Sequence, residues 1–242
     1  MEDFSMNVKM VSWTMMPVET MMYAFDNMHN VIPDSVGEYI SKQLIRFGGR
    51  KWTAIKKSFL KMLSLNPHCS VLEFVNTVWF ISGTSRAFQQ QLTRTRTAAY
   101  SIQSLRIVDV GDFATDGSYH IPDSIPEKLV GNYREYMTRC QVEYNAMIAR
   151  GAKTEDARGI LPLNICSPIT MSINLRALSN MLSVRLCNLA QGEFRLVGRK
   201  MINEVAENLG PEFSVLFKKP CEKEGRCPMP INCDKTNYKL SK

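Results

Sequence analysis

Apolar positions along this chain change their spacing several times, and each change marks a predicted element. Residues 8–12 predict a short strand. Val18, Met21, Met22 and Phe25 then fall at helical steps and predict a helix over residues 17–28, opened by Pro17. Two further helices, residues 36–47 and 52–64, are separated by Gly48 and Gly49. Ser70 as N-cap with Glu73 as its capping-box partner predicts a helix over residues 71–80. After Gly83, Thr84 or Ser85 can cap another helix, in which Ala87, Gln91 and Arg94 recur at helical spacing. Residues 98–109 are richer in β-branched and aromatic side chains and are predicted to be extended. Residues 106–112 are read as a strand that runs into a polar loop. A long amphipathic helix over residues 127–150 is closed by Gly151, and Pro162 ends a helix that carries Arg158. Residues 172–195 are read on one helix, with 176, 180 and 184 on one face and 174, 178, 181 and 185 on the stripe beside it. Polar residues confined to a stripe and packed between Leu, Met and Val suit a site between subunits.

Composition narrows the class. At 242 residues and 45% hydrophobic content the chain favours a single globular domain, and no apolar run nears the ~20 residues that span a bilayer. The N-terminus has no signal-peptide pattern, so a cytoplasmic location is expected (the host cytoplasm, if the chain is viral). A net charge of +7 suits anionic small molecules such as nucleotides or folates, and equally weak, unspecific nucleic-acid contact. Seven cysteines, an odd number, point to free thiols. Cys221, Cys227 and Cys233 stand at six-residue intervals without the paired spacing of a zinc site, so no metal is expected. Cys140 is expected to be buried in its helix, and Met28, His29 and His120 receive no role.

The chemistry concentrates in residues 79–106, WFISGTSRAFQQQLTRTRTAAYSIQSLR, where Arg86, Arg94, Arg96 and Arg106 are interleaved with Gln89, Gln90, Gln91, Ser101 and Ser104. Forked guanidinium donors with amides and hydroxyls suit a phosphate and a pyrimidine edge. A plain solvated basic face would carry the same residue types. The register, however, resembles the signature of the flavin-dependent thymidylate synthases, roughly SRxxxxQLVRHRxASYSQQSQR. Ser85-Arg86, Gln91-Leu92, Arg94, Arg96, Ala98, Tyr100-Ser101, Gln103-Ser104 and Arg106 match it without a gap. Three more segments resemble the same family. His68, Ser70 and Glu73 match its HxSxxEH box, Glu155, Ala157, Arg158, Leu161 and Pro162 its ExARxxLP. Asn174, Arg176, Asn180 and Arg185, followed by Ala190-Gln191, Glu193 and Arg195, match NxRxxxNxxxxR and AQxEIR.

The resemblance implies an α+β fold, a single domain with a central, mostly antiparallel sheet flanked by helices, assembling as a homotetramer with sites built from several subunits. Residues 1–219 would form that domain and residues 220–242 a Cys- and Lys-containing tail. It also implies one-carbon transfer to C5 of deoxyuridylate. Reduced FAD would carry the redox chemistry, methylenetetrahydrofolate supply the carbon and NADPH reduce the flavin, with no cysteine nucleophile. Gln91, Ser104, Arg106 and Arg158 would then hold the nucleotide phosphate and sugar, Arg158 by reaching a neighbouring subunit. Arg185 would polarise the pyrimidine carbonyl. Ser70, Arg94, Thr95, Arg96, Asn174, Arg176 and Asn180 would face the flavin, with His68 beside it as a catalytic-pocket residue.

Four positions depart from the pattern: Thr95, Phe74 and Leu189 stand where the family has histidine, and Ile102 where it has Glu or Gln. The family's Ala-Arg-x-Ser/Cys ending of the first helix is also missing, with Ala24-Phe25-Asp26-Asn27-Met28 in its place. Two alternatives therefore stay open: a related C5 hydroxymethylation or methylation of another pyrimidine nucleotide, or a non-catalytic nucleotide-binding relic. Retention of Arg94, Arg96, Asn174, Arg176 and Arg185 disfavours the relic.

Overall fold

Four short segments with alternating burial pair into one antiparallel sheet. In the computed structural model, which describes residues 6–28, 35–66 and 69–227, these are β1 (Asn7–Trp13), β2 (Asn76–Ser82), β3 (Ala98–Ile102) and β4 (Ile169–Asn174), in the order β1-β2-β4-β3. Side chains two apart share a face, so Val8 and Met10, then Thr77, Trp79 and Ile81, then Ile169, Met171 and Ile173 all point into the core. Burying Trp79 requires a partner for its ring N–H. Thr77 Oγ1 accepts from it at 2.8 Å and itself donates to the Ile173 carbonyl at 2.8 Å. The opposite face carries Lys9, Phe80, Thr170 and Ser101 in one row and is largely exposed.

Helices cover the buried face: α1 (Pro17–Asn27), α2 (Val36–Arg46), α3 (Trp52–Leu65), α4 (Arg86–Leu92), α7 (Leu175–Arg185) and α8 (Gly192–Asn208). Between α4 and α7 come the long α5 (Glu127–Ala149) and the single turn α6 (Thr154–Ala157), and α9 (Pro220–Glu224) ends the described chain. The edge strand β1 shifts register between Met10 and Ser12, and there the Glu204 carboxylate of α8 accepts from the Met10 N–H at 3.0 Å and pairs with Lys9 at 2.7 Å. Gly198 lets α8 approach α7 closely, since a Cβ there would meet Leu182 and Leu186 at 3.1 and 3.2 Å. A second, smaller core gathers Leu105, Phe113, Tyr119, Met137, Tyr144, Ala157 and Ile165 around α5.

The predicted elements at 8–12, 17–28, 36–47, 52–64 and 127–150 are all present, and Gly48, Gly49 and Gly151 have positive φ at the breaks. Three expectations are corrected. Residues 71–80 are not a helix: a 3-10 turn, Ser70–Phe74, precedes strand β2, and Ser70 lies inside that turn rather than at its cap. The two-residue alternation of Thr77, Trp79 and Ile81 satisfies the sheet, and it overrides the capping signature. Only Ala98–Ile102 of the extended stretch is strand. Beyond it, the Ser104 carbonyl accepts from Ile107 and Val108 N–H and turns the chain, so 106–112 forms no strand. Finally, residues 172–195 are not one helix. Asn174 ends β4 and caps α7, accepting from Ala177 N–H at 2.9 Å, while α8 starts anew at Gly192. Leu178 and Met181 of the 174/178/181/185 stripe are buried and belong to the core face of α7, while Asn174 and Arg185 at its two ends are half-buried. Cys140 is half-buried, and the six described cysteines are free thiols. No described helix is long and apolar enough to cross a membrane.

Candidate functional site

The site is assembled around α4. Gly83 takes a positive φ, and Ser85 caps the helix by accepting from Phe88 N–H at 3.0 Å. That serine is itself clamped from α8: the buried Glu193 carboxylate accepts from the Ser85 N–H and hydroxyl, both at 2.6 Å. One turn on, buried Gln89 donates to the Ser167 carbonyl and accepts from its hydroxyl at 3.1 Å. Contacts reaching 78 and 108 residues along the sequence thus fix the start of α4.

Arg86 sits on this joint. Its Nη1 donates to the Gln89 amide oxygen, the Gln103 carbonyl and Ser167 Oγ at 3.2–3.3 Å. Burial, and then the nearby Arg158 guanidinium, press its pKa below the usual value. Arg158 Nε donates to the Glu155 carbonyl at 3.0 Å, and Arg106 Nε pairs with the Glu155 carboxylate at 3.0 Å. Arg86, Arg106 and Arg158, from three separate stretches, therefore form a cationic group with one carboxylate among them. Arg106 and Arg158 are linked through Glu155, whose carboxylate pairs with Arg106 and whose carbonyl accepts from Arg158. Ser104 stands at the turn before them and accepts from the Arg106 N–H at 3.3 Å.

At the other end of α4, Gln91 Oε1 accepts from Arg185 Nη1 at 3.3 Å, and the Arg185 guanidinium lies 5.1 Å from the centre of the Phe194 ring. Arg185 closes α7. Nine residues earlier, about 13 Å along the axis, Arg176 Nη1 pairs with Glu73 of the 3-10 turn at 2.7 Å, beside Asn174 and the half-buried Ser70. Asn180 is exposed on the outer face of α7. Arg94 and Arg96 follow α4, exposed and without a side-chain partner among the described residues, and the Thr95 carbonyl accepts from Tyr100 Oη at 2.9 Å. His68 lies outside the described residues.

Two hollows flank this arrangement. One, about 700 Å³, is lined by Gly83, Gln103, Cys166 and Ser167; the other, about 820 Å³, by Glu19, Ser70 and Phe74. Met16, on the rim of the second, holds a left-handed backbone, and one buried Glu19 oxygen there has no hydrogen-bond partner among the described residues. The matched arginines line neither hollow; Arg94, Arg96, Arg106 and Arg158 are exposed, whereas Arg86, Arg176, Arg185 and Arg195 are half-buried. Burial, and then Glu193, push the Cys166 thiol up to about 12, so it is a neutral thiol at pH 7 and a poor nucleophile. Among the described residues no three His, Cys, Asp or Glu gather as a metal site.

Sequence reasoning counts Arg86 and Gln89 among the donor groups and matches Glu155 to a motif, but the specific parts of these three and of Ser167 are defined only by tertiary contacts. Arg195, matched to a signature, turns inward and donates to the Asn188 and Ala190 carbonyls between α7 and α8.

A helix-flanked antiparallel sheet with arginines converging from several motifs defines a nucleotide-binding enzyme scaffold, and comparison with known proteins gives the family. Residues 22–209 match the family described as thymidylate synthase complementing protein. The flavin-dependent thymidylate synthase of Thermococcus kodakarensis is 31% identical over 240 residues, covering 96% of this chain and 94% of that protein. Its counterpart from Pyrococcus furiosus is also 31% identical, over 96% and 95% of the two chains. The fold is shared with the UMP/dUMP methylase PolB of Streptomyces cacaoi, solved with 5-Br dUMP (TM-score 0.70, 18% identity, 88% of this chain and 94% of that one). It is shared too with thymidylate synthase X of Helicobacter pylori, solved with FAD and dUMP (TM-score 0.62, 19% identity, 88% and 100% covered). This chain belongs to the flavin-dependent thymidylate synthase family. It is a methyltransferase of that type.

Proposed function

We propose that the protein transfers a one-carbon unit to C5 of deoxyuridylate, with methylenetetrahydrofolate as donor and NADPH as reductant. The observation that carries this reading is the grouping of Arg86, Arg106 and Arg158 at the start of α4, with the Gln91–Arg185 pair at its other end. Like charges held together, one of them half-buried, are stabilised by an anion, and a nucleotide monophosphate supplies one. Arg106 and Arg158 hold the phosphate, with Gln91 and Ser104 at the sugar. Arg185, steadied by Phe194 and Gln91, directs its free N–H groups at a uracil carbonyl and favours the charge that develops there.

FAD fits the remaining donors. Arg94 and Arg96 are free to meet its pyrophosphate, while Asn174, Arg176 and Asn180 at α7, Ser70 and Thr95 line its approach, and the family resemblance adds His68. Bound FAD supplies the redox chemistry that the side chains lack. Because these groups face outward, the complete site forms between subunits of a homotetramer, in the cytoplasm. The catalytic domain spans residues 1–219, and residues 220–242 form its tail.

The test is incubation with deoxyuridylate, methylenetetrahydrofolate and NADPH in the presence of FAD, with the nucleotide product identified by mass. Thymidylate is the expected product. A hydroxymethylated product, or conversion of UMP or dCMP instead, would replace this reading with another C5 modification; no conversion of any of them would leave a binding protein.

A further inference from the structure

The three helices before the 3-10 turn enclose a site that the nucleotide chemistry leaves unused. A cavity of about 260 Å³ lies between α1, α2 and α3, walled by Phe25, Phe47, Phe59 and Met62. A cavity of about 150 Å³ already admits benzene, so this one takes two fused rings. Phe25 and Phe59 meet edge to face, 5.9 Å apart at 82°, and present ring surfaces suited to a flat guest.

Its polar groups are few and specific. Asp26, 7% exposed, lines the cavity. Tyr39 Oη and Gln43 Nε2 both donate to Asp26 Oδ2, at 2.6 and 2.5 Å. Among the described residues, the Arg46 guanidinium is the group that approaches Oδ1, and at 3.7 Å it lies beyond hydrogen-bond distance. Pinning α2 to α1 accounts for Oδ2; it leaves Oδ1 with acceptor capacity toward the cavity. Arg46 and Arg50 stand exposed at the mouth.

Charge distribution supports the same ligand. Residues 39–72 contain seven Lys or Arg and no Asp or Glu, equal to the net +7 of the entire chain. The α2–α3 hairpin is therefore rich in cations, although Lys42 pairs with Glu38, Lys56 with Glu19 and Arg46 with Asp26, and an aromatic cavity opens into it. An acceptor with the Arg46 guanidinium 3.7 Å from it, aromatic walls and a second exposed guanidinium, Arg50, match an amine-bearing bicyclic base carrying phosphate.

We infer that the α1–α2–α3 cavity binds a purine nucleotide, with its exocyclic amine on Asp26 and its phosphates on Arg46 and Arg50. This site is separate from the arginine cluster at α4, and the inference does not rest on the proposed reaction.

The test is calorimetric titration of ADP, IDP and pyrophosphate into the full chain, with and without saturating FAD. IDP lacks the amine but keeps the ring and phosphates. ADP is expected to bind with or without FAD, at least fivefold tighter than IDP and at least tenfold tighter than pyrophosphate. The R46A/R50A double variant, which changes only exposed side chains, should lose at least tenfold in ADP affinity while deoxyuridylate binding stays unchanged. In D26N the preference for ADP over IDP should disappear. Three results would each overturn the inference: no ADP binding at millimolar concentration, ADP binding that FAD displaces and R46A/R50A leaves intact, or equal affinity for ADP, IDP and pyrophosphate. The wild-type comparison and the double variant decide the matter even if D26N fails to fold.

Discussion

The start of α4 and the outer face of α7 carry residues of the same kinds, yet the chain treats them differently. At α4, Arg86 directs its donors to a side-chain amide, a carbonyl and a hydroxyl, and the serine before it is held by a buried carboxylate. On α7, Asn180 is exposed, and Arg176 has one surface partner, Glu73, among the described residues. Arg94 and Arg96, just past α4, have none among them. A site that is hydrogen-bonded before its ligand arrives needs little reorganisation on binding. Groups left in water gain their geometry only when something covers them. On the proposed reading, the phosphate end is prepared within one chain, and the flavin end awaits cofactor and neighbouring subunits.

The largest expected effect falls on the residue that links the two ends. Changing Arg185 to Ala removes the guanidinium proposed to face the pyrimidine, and turnover should fall roughly 10²-fold or more. The Kd of deoxyuridylate should change less than tenfold, because the phosphate group is untouched. Steady-state rates beside a binding titration separate the two. Equal losses in both would place Arg185 in nucleotide anchoring and erase the division proposed above.

Glu193 sharpens the prepared side. In Glu193→Gln the amide cannot accept from both the Ser85 N–H and its hydroxyl, so a buried donor loses its partner, at a cost of roughly 1–3 kcal/mol. Urea unfolding measures this. A variant as stable as the parent would show that the clamp does not hold α4.

A smaller effect is expected at the thiols. With Cys166 pushed up to about 12 by burial and by Glu193, it should resist alkylation in the folded protein at pH 8. Replacing any one cysteine by Ser or Ala should leave turnover within a few fold. Loss of turnover in a folded, nucleotide-binding cysteine variant would restore a thiolate mechanism.

The smallest effect concerns acid stability at the rim of the Ser70 hollow. Burial works to raise the Glu19 pKa, but hydrogen bonds from Lys56 and Trp52 outweigh it and leave the group below its ordinary value. A depressed folded pKa contributes stability above the unfolded value near 4.5, and that contribution fades as pH falls through the lower folded value. Glu19→Gln should therefore lose stability at neutral pH, on the order of 1 kcal/mol, and show a shallower decline below about pH 4. Parallel acid limbs would argue against it.

Much of this organisation is legible without the structure. Gly83 and Ser85 announce α4 because a left-handed turn and a side-chain cap are local requirements. Gly48, Gly49 and Gly151 mark breaks for the same reason. Strand β2 escapes a local reading because Ser70 and Glu73 imitate a capping box, whereas Glu73 pairs with Arg176, 103 residues away. The motif arginines are visible, but their division is not. Nothing local distinguishes Arg86, held by Ser167 and Gln103, from Arg96, which is held by no side chain among the described residues, or from Arg195, which closes a turn.

Equilibrium titration of deoxyuridylate, deoxyuridine and dCMP into protein free of flavin tests the prepared phosphate end most directly. Deoxyuridylate should bind without FAD and at least 100-fold tighter than deoxyuridine, and Arg158→Ala should remove most of that difference. dCMP should bind about tenfold or more weakly than deoxyuridylate, since its amine meets guanidinium donors. Equal affinity for deoxyuridylate and deoxyuridine, or a phosphate preference that survives Arg158→Ala, would contradict a phosphate site prepared at α4.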